Sequence, residues 1–165
     1  EVGAVSADHL GAASEEGINA LKVGRVIPIL LPGTIFSLGL KSYANARKMI
    51  DSGLPVAIAT DYNPGSCNCD SMQFIVTLAT LQMKMTVAEA ITAGTINAAH
   101  SLHLGDKLGT LEVGKQADFL VMDMPSYRYL PYHFGSNNVE MVFNKGALAY
   151  ENIDLEIIEE NMRGG

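Results

Sequence analysis

Three stretches in the first 65 residues share one pattern, an apolar run that breaks off into polar or turn-forming residues. Residues 2–10 (VGAVSADHL) end in Asp8 and His9, residues 25–33 (RVIPILLPG) break at Pro32 and Gly33, and residues 54–65 (LPVAIATDYNPG) end in Asp61 and a turn. Continuous apolar runs, as opposed to alternation, predict strands buried on both faces, as in a parallel sheet. Helical patterns lie between them. Ser14 is placed to N-cap a helix that carries Glu15 and Glu16 in its first turn, with Ile18 and Leu21 inward and Gly24 as the stop. A second helix is predicted over residues 43–51, with Ala44, Ala46 and Ile50 inward and Gly53 ending it. The strand–helix–strand repeat of roughly 25–30 residues is the length of a βαβ crossover.

After Gly65 the pattern changes. Residues 72–83 (MQFIVTLATLQM) predict a largely apolar helix, and Thr86 with Glu89 forms a capping box that opens another, reaching about residue 93. Thr95 is expected to cap a further helix through His100. Beyond Gly105 the chain turns to short strands at 118–123, 139–144 and 147–150, the last two joined by a tight Lys145-Gly146 turn. The expected division is a parallel α/β part over 1–104, an antiparallel β part over 105–150, and an acidic tail over 151–165, either a short exposed helix or a frayed end.

With 165 residues, 48% hydrophobic and 18% charged, the chain has the material for one globular core. Its net charge of −7 argues against nucleic acid as a partner, because phosphates call for a basic surface. Cys67 and Cys69 are too close in sequence for an unstrained bridge, which predicts free thiols in a reducing compartment. By itself a Cys-x-Cys pair is a weak metal pattern. No run approaches the roughly 18 apolar residues of a membrane span, and no secretory pattern precedes the first strand. The chain opens on Glu1 and runs straight into an apolar segment, which suggests a portion of a longer polypeptide.

In a parallel α/β fold, residues at the C-terminal strand ends face the active site. Asp61 and His9 both occupy that position. A carboxylate there suits a divalent metal, or takes a proton from a metal-bound water. An imidazole there can donate to an oxygen that becomes negative. The structural alternatives are a helix cap or a turn for Asp61. His100 and His103 straddle a predicted helix end, where the dipole favours histidine, and His133 lies in an aromatic loop; a structural role is expected for all three. The stretch 109–116 (GTLEVGKQ) nearly matches a phosphate-binding loop and is rejected: Gln116 replaces the required hydroxyl, Leu111 and Val113 alternate like a strand, and a strand follows.

The segments SADHL, EEGINAL, LLPGT, ATDYNPGS, TINAAHSL, GTLEVGKQADFLVMD and LPYHFGSNNVEMVFNKG, in that order, resemble the imidazolonepropionases, a family of metal-dependent amidohydrolases. The G-x-L-x-x-G-K-x-A-D part is shared widely among amidohydrolases, whereas TDYNPGS with SADHL and YHFGSNN is far more specific. The resemblance reaches to about residue 150. It implies the C-terminal part of a (β/α)8 barrel, strands six to eight, plus part of a small β-sandwich built from both chain ends. It implies hydrolysis of 4-imidazolone-5-propanoate to N-formimidoyl-L-glutamate, one zinc or iron ion, a homodimer and a cytoplasmic location. By resemblance, Asp61 is the metal-ligand aspartate, His9 the active-site histidine, and Asn63, Gly65 and Ser66 contact substrate or product.

The sequence departs from the family in what it lacks. The His-x-His pair, the His-Ala-Asp-Glu segment with the catalytic glutamate, and the substrate-clamping Arg and Tyr residues are absent from these 165 residues. A complete barrel takes about 250 residues. The expectation is a chain inactive alone, carrying one wall of a site and leaving strand edges and core surface bare. Two alternatives stay open: another hydrolase or deaminase of the superfamily, and a non-catalytic scaffold.

Overall fold

The structure is a computed structural model and describes residues 3–152. Strands β1 (Ser6–Asp8), β2 (Ile27–Leu30) and β3 (Ala57–Ile58) form a parallel sheet in the order β1-β2-β3. Register runs Asp8 to Ile29 and Ile29 to Ala57. The paired segments are shorter than the apolar runs, for local reasons. His9 and Leu10 take left-handed φ of 67° and 57° and end β1. Pro28 has no N–H to give, and pairing with β3 begins only at Ile29.

Helix α1 (Glu15–Gly24) starts as predicted, with Ser14 Oγ accepting from Gly17 N at 3.1 Å. Its end is different: Gly24 stays helical and Arg25 takes the left-handed cap, φ 53°. A Cβ on Gly24 would lie 3.2 Å from Val26 Cγ2, so the glycine relieves crowding where the chain enters β2. The Pro32-Gly33 break is a helix start, α2 (Pro32–Ser37), with Pro32 in the first turn, where its missing N–H costs nothing. Helix α3 (Ala46–Asp51) is shorter than predicted. Asn45 Oδ1 caps Lys48 N at 3.0 Å; Ile50 packs against the core as expected, and Met49, fully buried, joins it there.

Helices α4 (Met72–Leu81), α5 (Val87–Gly94) and α6 (Ile96–Ser101) follow. The capping box of α5 is present in both directions. Glu89 also receives both terminal nitrogens of Arg47 at 2.9 Å, tying α5 to α3. The Arg47 guanidinium, helped by the Thr86 backbone N–H, holds the Glu89 carboxyl far below the usual range, at about 2. Thr95 does not cap α6: its hydroxyl turns back to donate to Ile91 O at 2.7 Å. Leu30, Met49, Val56, Ile58, Ile75, Ala79 and Ala90 form the centre of one core between sheet and helices.

Strands β4 (Phe119–Met122), β5 (Val139–Asn144) and β6 (Ala147–Glu151) make a separate antiparallel sheet. Phe119 stacks on Phe143 with ring centres 4.4 Å apart. Lys145 and Gly146, at φ 52° and 78°, form the expected tight turn, and Asp118 Oδ1 holds it through Lys145 N at 2.7 Å. Residues 109–116 are not strand-like after all: Leu111 and Val113 are exposed in a loop. Gly109, φ 92°, is required there, since a Cβ would meet Ile96 Cα at 2.8 Å. The first residue of the expected tail, Glu151, completes β6 instead; residues 153–165 lie outside the described residues. Among the described residues no helix is long and apolar enough to cross a membrane.

Candidate active site

Because β1 and β3 are parallel, His9 and Asp61 emerge from the same edge of the sheet, with β2 between them. Ordinary strand spacing puts β1 and β3 about 10 Å apart. His9 is exposed and borders a small cavity with Leu31, Pro32, Tyr43 and Met83. Asp61 is half-buried, and its backbone, φ 54°, is left-handed like that of His9. Left-handed non-glycine residues persist only where their surroundings hold them.

The surroundings of Asp61 are specific. Its Oδ2 accepts a 2.5 Å hydrogen bond from the hydroxyl of buried Thr34, in α2. No described residue donates to Oδ1. Its backbone carbonyl accepts from Asn63 Nδ2 at 2.7 Å. Asn63 Oδ1 in turn accepts from Gly65 N and Ser66 N, both at 2.8 Å, and Asn63 Nδ2 also reaches Ser66 Oγ at 3.1 Å. Asn63 N donates to Cys67 O at 2.8 Å, and buried Cys67 donates its thiol proton to Thr60 O at 3.2 Å. The loop over 60–67 is therefore closed on itself. The Asn63 amide and the Gly65 and Ser66 N–H groups, expected from the sequence to meet a substrate, are directed at one another in this conformation. Thr34 is the residue that sequence reasoning missed. It lies in the LLPGT segment, yet nothing local marks its hydroxyl as the partner of a carboxylate 27 positions on.

Among the described residues no three His, Cys, Asp or Glu side chains gather as a metal site. Asp61 offers one hard oxygen, suited to a single ligand position. A catalytic zinc takes three protein ligands, so the described residues do not complete a site. His133 is engaged elsewhere, its Nδ1 3.1 Å from Asn138 Oδ1, in a network with Gln73 and Asn137 that fastens the loop before β5 to α4.

A parallel sheet with helices beside a separate antiparallel sheet fits the architecture of the amidohydrolases. The amidohydrolase family model matches residues 38–149, and the chain belongs to that family. It is 48% identical over 151 residues to the imidazolonepropionase of Alkaliphilus oremlandii and 45% identical over 150 residues to that of Bacillus cereus. These alignments cover 92% and 91% of the chain but 36% of either relative, so the chain spans about a third of the length of the curated relatives it matches. Among solved structures it resembles an adenosine deaminase from Xanthomonas campestris with bound zinc, at TM-score 0.81 and 23% identity, over 96% of this chain and 41% of that one. The guanine deaminase of E. coli matches at TM-score 0.74 and 20% identity, over 90% of this chain and 39% of that one. At such identities the likeness speaks to fold: a barrel-type parallel sheet with helices, plus a sandwich-type sheet.

Proposed function

We propose that this chain is the C-terminal part of an imidazolonepropionase, which hydrolyses 4-imidazolone-5-propanoate to N-formimidoyl-L-glutamate in the cytoplasm, as a homodimer. The observation that carries the reading is the shared edge of His9 and Asp61, together with 48% identity to a protein of that name. In this reading residues 1–104 are barrel, residues 105–150 belong to the composite sandwich, and the exposed face of β6 is covered by segments from the other end of the protein. One divalent ion, zinc or iron, would supply a water of lowered pKa. Asp61, whose Oδ1 receives no hydrogen bond from a described residue, would hold that ion. His9 donates to the substrate oxygen that gains charge as the ring carbon is attacked. Asn63, Gly65 and Ser66 contribute substrate or product contacts once the loop exchanges its internal hydrogen bonds for those of the ligand. The chain alone lacks the other ligands and is expected to be inactive.

The test is turnover by the full-length protein. Loss of imidazolone propionate absorbance, abolished by Asp61→Asn and strongly slowed by His9→Ala, is the expected result. Turnover of a purine or triazine in place of the imidazolone, or full activity and metal content in Asp61→Asn, would refute the assignment.

A further inference from the structure

We propose that Thr34 is a positioning residue for Asp61: its hydroxyl pins Oδ2 so that Oδ1 is presented to the ion. The inference rests on the reading above in taking Asp61 as a ligand. The contact itself does not. Thr34 is buried, and its hydroxyl donates to Asp61 Oδ2 over 2.5 Å, the length of a charge-assisted O–H···O bond.

The approach is built in from both sides. Pro32 sets the start of α2 directly after β2, which places Thr34 one turn from the sheet edge. Gly33 lets α2 lie against the Asp61 loop: a Cβ there would stand 2.8 Å from Ile75 Cδ1, 3.0 Å from Cys67 Sγ and 3.2 Å from Thr60 O. On the other side, the Cys67 thiol holds Thr60 O. The loop is thus closed on itself and packed against Gly33, and the hydroxyl meets a carboxylate whose left-handed backbone needs a holder. A carboxylate free to spin about its last bond offers either oxygen in many directions. With one oxygen fixed, the other has a single aim. Hydrogen-bond partners of metal ligands act in this way and typically change metal affinity by about 10–100-fold.

The experiment uses the full-length protein loaded with zinc, and follows zinc loss to a chromogenic chelator. Thr34→Val removes the hydroxyl at nearly constant volume, and Thr34→Ser keeps it. Zinc affinity is expected to fall about 10–100-fold in Thr34→Val and to stay within about threefold of the parent in Thr34→Ser. Asp61→Ala serves as the control. If Asp61→Ala loses zinc while Thr34→Val keeps it, the positioning role is overturned and the ligand assignment survives. If Asp61→Ala keeps zinc, the ligand assignment itself is overturned, and the role of Thr34 with it. Equal loss in Thr34→Ser and Thr34→Val would also overturn the proposal, because packing would then be the cause. Should Thr34→Val not fold, Thr34→Ala is read in the same assay; failure of both to fold makes the hydroxyl a structural group and overturns it too.

Discussion

Deleting the Asn63 amide should loosen the Asp61 loop and leave the rest of the fold in place. Asn63→Ala removes the oxygen that accepts from Gly65 N and Ser66 N at 2.8 Å each, and the nitrogen that donates to Asp61 O at 2.7 Å. The Asn63 Nδ2–Ser66 Oγ bond goes as well, and at about 1 kcal/mol net per protein hydrogen bond the four together set an upper value of about 4 kcal/mol. Gly65 is exposed and Ser66 half-buried, so water takes over part of what is lost. The net loosening should be about 1.5–2 kcal/mol, which at tenfold per 1.4 kcal/mol means amides exchanging about 10–30 times faster. Hydrogen exchange of the full-length protein, resolved to single amides, reads Gly65 and Ser66 directly. Asn63→Asp keeps the acceptor oxygen and should preserve protection at both amides while losing the bond to Asp61 O. Unchanged exchange in Asn63→Ala, or exchange in Asn63→Asp as fast as in Asn63→Ala, would refute the account of the loop.

Two further outcomes follow from packing and charge. Glu89→Gln should cost stability only where the native carboxyl is ionised. Its value of about 2, against an ordinary 4.5, corresponds to about 3 kcal/mol, reduced to about 1–2 kcal/mol by solvent at a pair roughly one-third exposed. A depressed carboxyl stabilises above its unfolded value and loses that contribution as pH falls through the folded one. The gap between parent and variant urea midpoints should therefore shrink between about pH 4 and pH 2, and a gap independent of pH would contradict the pairing. Gly33→Ala drives a methyl into Ile75, Cys67 and the Thr60 carbonyl, an overpacking of about 1–3 kcal/mol that should lower the melting temperature. An unchanged melting temperature would mean that α2 does not press on the loop.

Much of the fold was legible because local chemistry was strong. Ser14 and the Thr86–Glu89 box announce helix starts through hydroxyls and acids at the right spacing, and both cap as expected. The three apolar runs gave the parallel sheet, and Lys145-Gly146 gave the hairpin. The failures are places where tertiary contact decides. Pro32-Gly33 reads equally as a break or as a first helical turn, and only the loop packed on Gly33 selects the second. A six-residue helix gives too little periodicity to show that Met49 joins Ile50 on the inward side. At the site, the strand-end position of Asp61 and His9 was readable from the runs they terminate. The partnership of Thr34 with Asp61 was not, since a hydroxyl and a carboxylate far apart in sequence carry no mutual signal until the sheet brings them together.

The acid that follows β3 leans on a hydroxyl that follows β2, so neighbouring strand-and-helix units are not interchangeable cassettes. A chimera with its crossover anywhere over residues 35–56 would inherit the carboxylate from one parent and its prop from the other. Recombination between relatives should succeed at that seam only when the parent that supplies α2 carries a hydroxyl at the position of Thr34, and a breeder of hybrid enzymes would do better to cut before β2.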